Sequence, residues 1–136
     1  MKFIEDAYKR IEHERDFVKG CEECYHKTKD IVNLEDGDYF SIAFGVGSLN
    51  GLLLMLQNRK DLLPVMDIVE KLCIHLNTKI EKISDYPEIS RRSWYLKGTP
   101  LIISAFFDGD DGSVCKFIKT GEKREPVYEF ICPEST

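Results

Sequence analysis

Residues 31–58, IVNLEDGDYFSIAFGVGSLNGLLLMLQN, decide the fold, because the stretch reads two ways. Asp36 and Gly37 suit a tight turn, which would make Ile31 to Leu34 and Asp38 to Phe44 the arms of a hairpin. Alternatively, Asp36 or Asp38 caps one long buried helix that runs to Asn58. The helix is the preferred reading, and Leu49 to Gln57 is expected to be helical under both.

On the N-terminal side, Ile4, Ala7, Tyr8, Ile11, Val18, Cys21 and Tyr25 recur at three- and four-residue spacing with charges between them, which predicts an amphipathic helix. It should stop before Asp30. Gly20, about 1 kcal/mol worse than Ala inside a helix, is a candidate break. On the C-terminal side, Leu62, Val65, Met66, Val69, Leu72, Cys73 and Leu76 form the apolar stripe of a third helix. Asp61 is its expected N-cap, Pro64 falls in the first turn, and Asn77 can close it in a left-handed conformation.

Beyond residue 78 the pattern turns to strands. Lys79 to Ile83 suits an edge strand. Trp94 to Lys97, Leu101 to Phe107, Val114 to Lys119 and Val127 to Cys132 are separated by Gly-containing turns, as in an antiparallel meander. Leu101 to Phe107 is almost continuously apolar and belongs at the centre. The expected architecture is one α+β domain over residues 1–136, mainly helical over 1–78 and mainly β over 79–136. About three helices should pack on one face of a three- to four-stranded antiparallel sheet formed by the C-terminal half.

The composition fits that picture. Of 136 residues, 43% are hydrophobic and 32% charged, the balance of a globular chain and not of a disordered one. Met1 to Asp6 has no basic stretch followed by an apolar one, so no secretory leader is expected, and Leu52 to Leu56 is too short to span a bilayer. Five cysteines without a secretion signal are expected to be free thiols in the cytoplasm. A net charge of −5 disfavours nucleic acid, whose binding depends on neutralising phosphates with Lys and Arg.

Cys21-Glu22-Glu23-Cys24-Tyr25-His26 is the sharpest chemical cluster. Two cysteines with a nearby histidine resemble half of a zinc site, with Cys73 or His75 available to complete it. On a helix, however, three-residue spacing simply puts both thiols on one face, where cysteine packs as a small hydrophobe. Gly45, Gly47 and Gly51 only superficially suggest a dinucleotide loop, because Asn50 stands where the third glycine belongs. Asp108-Gly109-Asp110-Asp111-Gly112 fails as a calcium loop at Ser113 and Lys119, and reads as a polar turn. Arg91-Arg92-Ser93-Trp94-Tyr95 joins cations to aromatics, with Trp94 the expected core anchor. The three histidines belong to no nucleophile or metalloprotease motif.

No catalytic residue and no cofactor is therefore expected. The leading expectation is a small acidic binding protein that occludes a cationic protein partner, most concretely an immunity or antitoxin protein neutralising a toxin. Its candidate contacts are Asp108, Asp110, Asp111, Glu22, Glu23, Glu35, Asp36 and Asp38. The alternatives are a metal- or small-ligand-binding regulatory domain using Cys21, Cys24 and His26, and an enzyme whose site only the folded chain would assemble.

Overall fold

The long apolar run is a strand. Gly51–Arg59 forms β2, and Tyr39–Ala43 pairs with it antiparallel as β1. The expected helix from Asp36 or Asp38 to Asn58 fails because Leu52 to Leu56 is apolar at every position and so carries no helical period. Leu52, Leu54 and Leu56 join one buried cluster while Leu53 and Met55 join another, as in a strand buried on both faces. Nor is Ile31 to Leu34 a hairpin arm, since the antiparallel partner of β1 is β2.

The structure is a computed structural model that describes residues 1–43, 50–107, 115–122 and 126–132. Its class is α+β, as expected, but the described residues hold two α-helices and not three: α1 (Lys2–Thr28) and α2 (Leu62–His75). The sheet is also larger than expected. With β3 (Ile80–Tyr86), β4 (Arg91–Leu96) and β5 (Leu101–Phe107) it has five strands in the order β1-β2-β5-β4-β3. Strands β3, β4 and β5 pair antiparallel in succession, with β5 central as expected, but the strands expected over 114–119 and 127–132 do not continue this meander and lie in a separate two-stranded sheet. Because β2 lies parallel to β5, the sheet is mixed, and two of its strands come from the N-terminal half. The parallel neighbours close tightly at one end, where Leu52 N donates to Pro100 O at 2.7 Å. A Cβ on Gly51 would stand 2.6 Å from that same oxygen, so only glycine fits without a shift.

One sheet face carries the main core. Leu52, Leu54, Leu56, Trp94, Leu96, Leu101, Ile103 and Phe107 meet Cys21 and Cys24 of α1 and Val65, Val69 and Leu72 of α2. Helix α2 is bounded as its sequence requires. The Asp61 carboxylate accepts from Leu63 N at 3.3 Å, and Asn77 is left-handed with φ 51° while Thr78 N donates to Cys73 O at 2.9 Å.

Helix α1 runs unbroken through Gly20 but is anchored only at its C-terminal half. Phe3 and Tyr8 are 68% and 67% exposed, and Ile4 and Ile11 are exposed as well. The total exposed surface of 9395 Å² exceeds the roughly 7,300 Å² that mass scaling gives, and this projecting half-helix is part of the excess.

A hairpin of β6 (Lys116–Glu122) and β7 (Pro126–Ile131) stands apart as a two-stranded sheet. Phe130 rests against Phe107 of the main core with ring centroids 5.1 Å apart. The expectation of five free thiols is overturned here, because Cys115 and Cys132 form a disulfide and only Cys21, Cys24 and Cys73 are free. The physical reason is register. Lys116 opposes Ile131, so the residues one step outward, Cys115 and Cys132, face each other at a Cα separation of 4.2 Å. Among the described residues, no helix is long and apolar enough to cross a membrane.

Candidate functional site

Between the anchored half of α1 and the edge strand β1 lies a groove of about 630 Å³. Its apolar lining includes Val18, Tyr25, Leu34, Phe40 and Ile42. Tyr25 and Phe40 meet edge-on, ring centroids 5.0 Å apart at 82°, which fixes the helix against the strand. Strand alternation turns Phe40 and Ile42 towards the helix side, in step with the β2 core residues Leu54 and Leu52 opposite them. Leu34, Tyr39 and Ile42 remain 46%, 48% and 38% exposed, so the groove presents apolar surface to a ligand. The outer edge of β1 pairs with no described strand.

Two of the carboxylates singled out from sequence reach this groove, and they differ in kind. Glu22 is 67% exposed and sits 3.8 Å from the exposed His26 one helical turn on, so its carboxylate remains open to solvent at the groove rim. Asp38 has a fully buried side chain. Its Oδ2 accepts from Arg59 Nη2 at 2.7 Å and from Glu35 N at 2.9 Å, while Oδ1 accepts from Gln57 N at 2.7 Å. Its charge is already matched within the chain. Glu35 is exposed and lies 2.8 Å from Arg59 Nη1, and Glu23 and Asp36 are exposed. Asp108, Asp110 and Asp111 lie outside the described residues.

The groove continues along α1 past Val18 and Glu22 to Ile11, Glu14, Arg15 and Lys19. Both signs of charge are present there, so the acidic character is concentrated near Glu22 and Glu23 and does not extend over the whole helix.

Cys21 and Cys24 do share one face, and that face is the core. Burial pushes both thiols up, with the neighbouring Cys21 adding to the effect at Cys24, so neither is poised as a thiolate ligand or nucleophile. His26 points instead to Glu22. Burial, then Glu70, pushes Cys73 up. His75 Nε2–H donates to the Lys27 carbonyl at 2.7 Å, satisfying one of the last acceptors of α1. Among the described residues, no group of three or more His, Cys, Asp or Glu side chains could hold a metal ion.

Sequence reasoning missed the groove because its walls lie far apart in the chain. The available signal was the alternation Tyr39, Phe40, Ser41, Ile42, which suits a strand with one covered face. No protein-family model matches the chain, and comparisons with curated proteins and with solved structures find no match to it.

Proposed function

We propose that this chain is a binding protein that occludes a cationic protein partner at the groove between α1 and β1. What carries the proposal is the groove itself: an open apolar trough of about 630 Å³, with the exposed carboxylate of Glu22 at its rim and, beside it, a strand edge that pairs with no described strand. An apolar floor supplies affinity on desolvation, and a rim charge selects the sign of the partner and speeds encounter. Glu23 and Asp36 add negative charge to the same end of α1 and to the turn before β1, on a chain of net charge −5. The most concrete version is an immunity or antitoxin protein acting in the cytoplasm, where the inhibitor needs a rigid complementary surface and no chemistry of its own.

Affinity capture from the native host, followed by binding kinetics, tests this. Association should slow several-fold from low to ~150 mM salt, and again in a Glu22→Gln/Glu23→Gln variant. Val18→Ser, which removes floor contact, should instead raise the dissociation rate about tenfold. A partner bound with neither response refutes the groove as the contact. Turnover of a small molecule by the purified protein, with no partner recovered, refutes the binding class itself.

A further inference from the structure

The sheet face turned away from the helices carries a second arrangement. Register places its outward side chains across β3, β4 and β5 in three rows: Lys82, Tyr95 and Ile102; Ser84, Ser93 and Ser104; Tyr86, Arg91 and Phe106. The middle row is small and closed. Ser93 and Ser104 are each 1% exposed and share a hydrogen bond at 2.8 Å. Tyr86 and Tyr95 lean together beside this row with their hydroxyls 3.3 Å apart. Burial and the bond to Tyr86 push the Tyr95 phenol up, which keeps it a neutral donor.

Arg91 stands over this cluster, its guanidinium carbon 4.1 Å from the Tyr86 ring centre and 5.8 Å from that of Phe106. The other two arginines of the sheet each hold a carboxylate. Arg59 grips Asp38 end-on through both Nη atoms, and Arg92 grips Asp85 side-on through Nε at 2.6 Å and Nη2 at 3.0 Å. Arg91 has neither an ion pair nor a hydrogen bond to any described residue, and its Nε is buried without a partner. With Nε turned inward, the end-on Nη fork is the part of Arg91 left for a ligand.

We propose that Arg91, with the hydroxyls of Tyr86 and Tyr95, forms a binding site for an oxyanion of the phosphate class, carried on a small molecule. The end-on fork presents two parallel N–H donors that match two oxygens of such a group. A phosphate offers a tyrosine hydroxyl a third oxygen outside the plane of the fork, whereas a carboxylate offers only further lone pairs on the two oxygens already engaged. Lys82, with Nζ 4.9 Å from the Tyr95 ring centre, adds positive charge on the same face. A small ligand is favoured over a nucleic-acid strand because the chain as a whole is acidic, at −5. The site lies on a different face from the α1–β1 groove, so each proposal can fail without the other.

The buried Arg91 Nε–H should exchange slowly with water and give its own nitrogen–proton NMR signal. Inorganic phosphate and phenyl phosphate, titrated at constant ionic strength, should shift that signal and the Tyr95 ring resonances saturably. Acetate should bind at least about fivefold more weakly. Followed at Tyr95, Arg91→Gln should weaken phosphate binding at least about tenfold, while Arg91→Lys, which keeps the charge without the fork, should fall between the two. Unchanged backbone signals elsewhere in the sheet would confirm that the variants fold. A linear, unsaturated response, or the same affinity in Arg91→Gln, overturns the site. Equal binding of acetate overturns the assignment to phosphate.

Discussion

Removing the Asp38 side chain should be among the costlier single changes this chain can suffer, although sequence alone groups Asp38 with the surface carboxylates. The carboxylate is fully buried and accepts from Gln57 N, Glu35 N and both Nη atoms of Arg59, whose own side chain is 7% exposed. Breaking a buried pair from one side leaves the other charge uncompensated, at a cost of about 3–5 kcal/mol. In Asp38→Ala, Arg59 keeps Glu35 Oε2 and the Gln57 carbonyl, each at 2.8 Å, which places the loss near the lower end, about 3 kcal/mol. Arg59→Met should cost more, about 4 kcal/mol, because Asp38 then stays buried with only two backbone donors. With a urea slope of about 2 kcal/mol per molar, Asp38→Ala should lower the unfolding midpoint by about 1.5 M. The fluorescence of Trp94, buried at 1% exposure and the sole tryptophan, reports the transition. A loss below about 1 kcal/mol in both variants, at unchanged slope, would equate the pair with a surface salt bridge and refute the reasoning.

Gly51→Ala should destabilise by roughly 1–3 kcal/mol, because the new Cβ meets the backbone oxygen of Pro100, which cannot swing aside, as well as the Ile102 side chain. An unchanged urea midpoint would show that β2 and β5 approach less closely at that end. Unfolded without reductant, the chain should titrate as the three thiols of Cys21, Cys24 and Cys73, and with reductant as five; five in both conditions would rule out the Cys115–Cys132 bond. Cys21 and Cys24 also give a pH dependence of definite sign. Burial raises both above the ordinary 9.0, so the unfolded chain ionises first. Their contribution to stability is complete below pH 9.0 and is lost as the pH rises through the folded-state values. The urea midpoint should therefore fall above pH 9, less steeply in Cys21→Ala, and a flat profile in the parent chain would contradict the assignment.

The features legible in the sequence are those that local chemistry specifies. Asp61 caps α2, Asn77 ends it, and the turns around Gly98 separate β4 from β5 because each depends on a few neighbouring residues. Strand β2 was not legible for the opposite reason. Leucine and methionine favour helix by intrinsic propensity, and the strand is imposed by pairing with Leu101–Phe107, far along the chain. The disulfide is similar, since nothing in the spacing of Cys115 and Cys132 implies a bond until the register of β6 on β7 is known. Helix α1 errs differently: its apolar stripe is real, but the stripe runs on past the sheet that covers it.

For the candidate sites, charge was legible and its partner was not. Glu22 and Asp38 are equivalent in any composition count, yet one is open to solvent and the other is locked onto Arg59. The adjacent residues Arg91 and Arg92 make the same point more sharply. Read as one segment with Trp94 and Tyr95, they form a single cation–aromatic patch. In a strand, successive side chains take opposite faces, so the segment is in fact two environments. Arg92 faces the hairpin, its guanidinium 4.0 Å from the Phe130 ring and paired with Asp85. Arg91 faces the open side, stacked on Tyr86 without a carboxylate among the described residues. Sequence supplies the two cations, and the period of the strand separates a structural clamp from a free ligand group. Arg92 has committed its side-on donors to Asp85, whereas the Nη fork of Arg91 is engaged by no described residue.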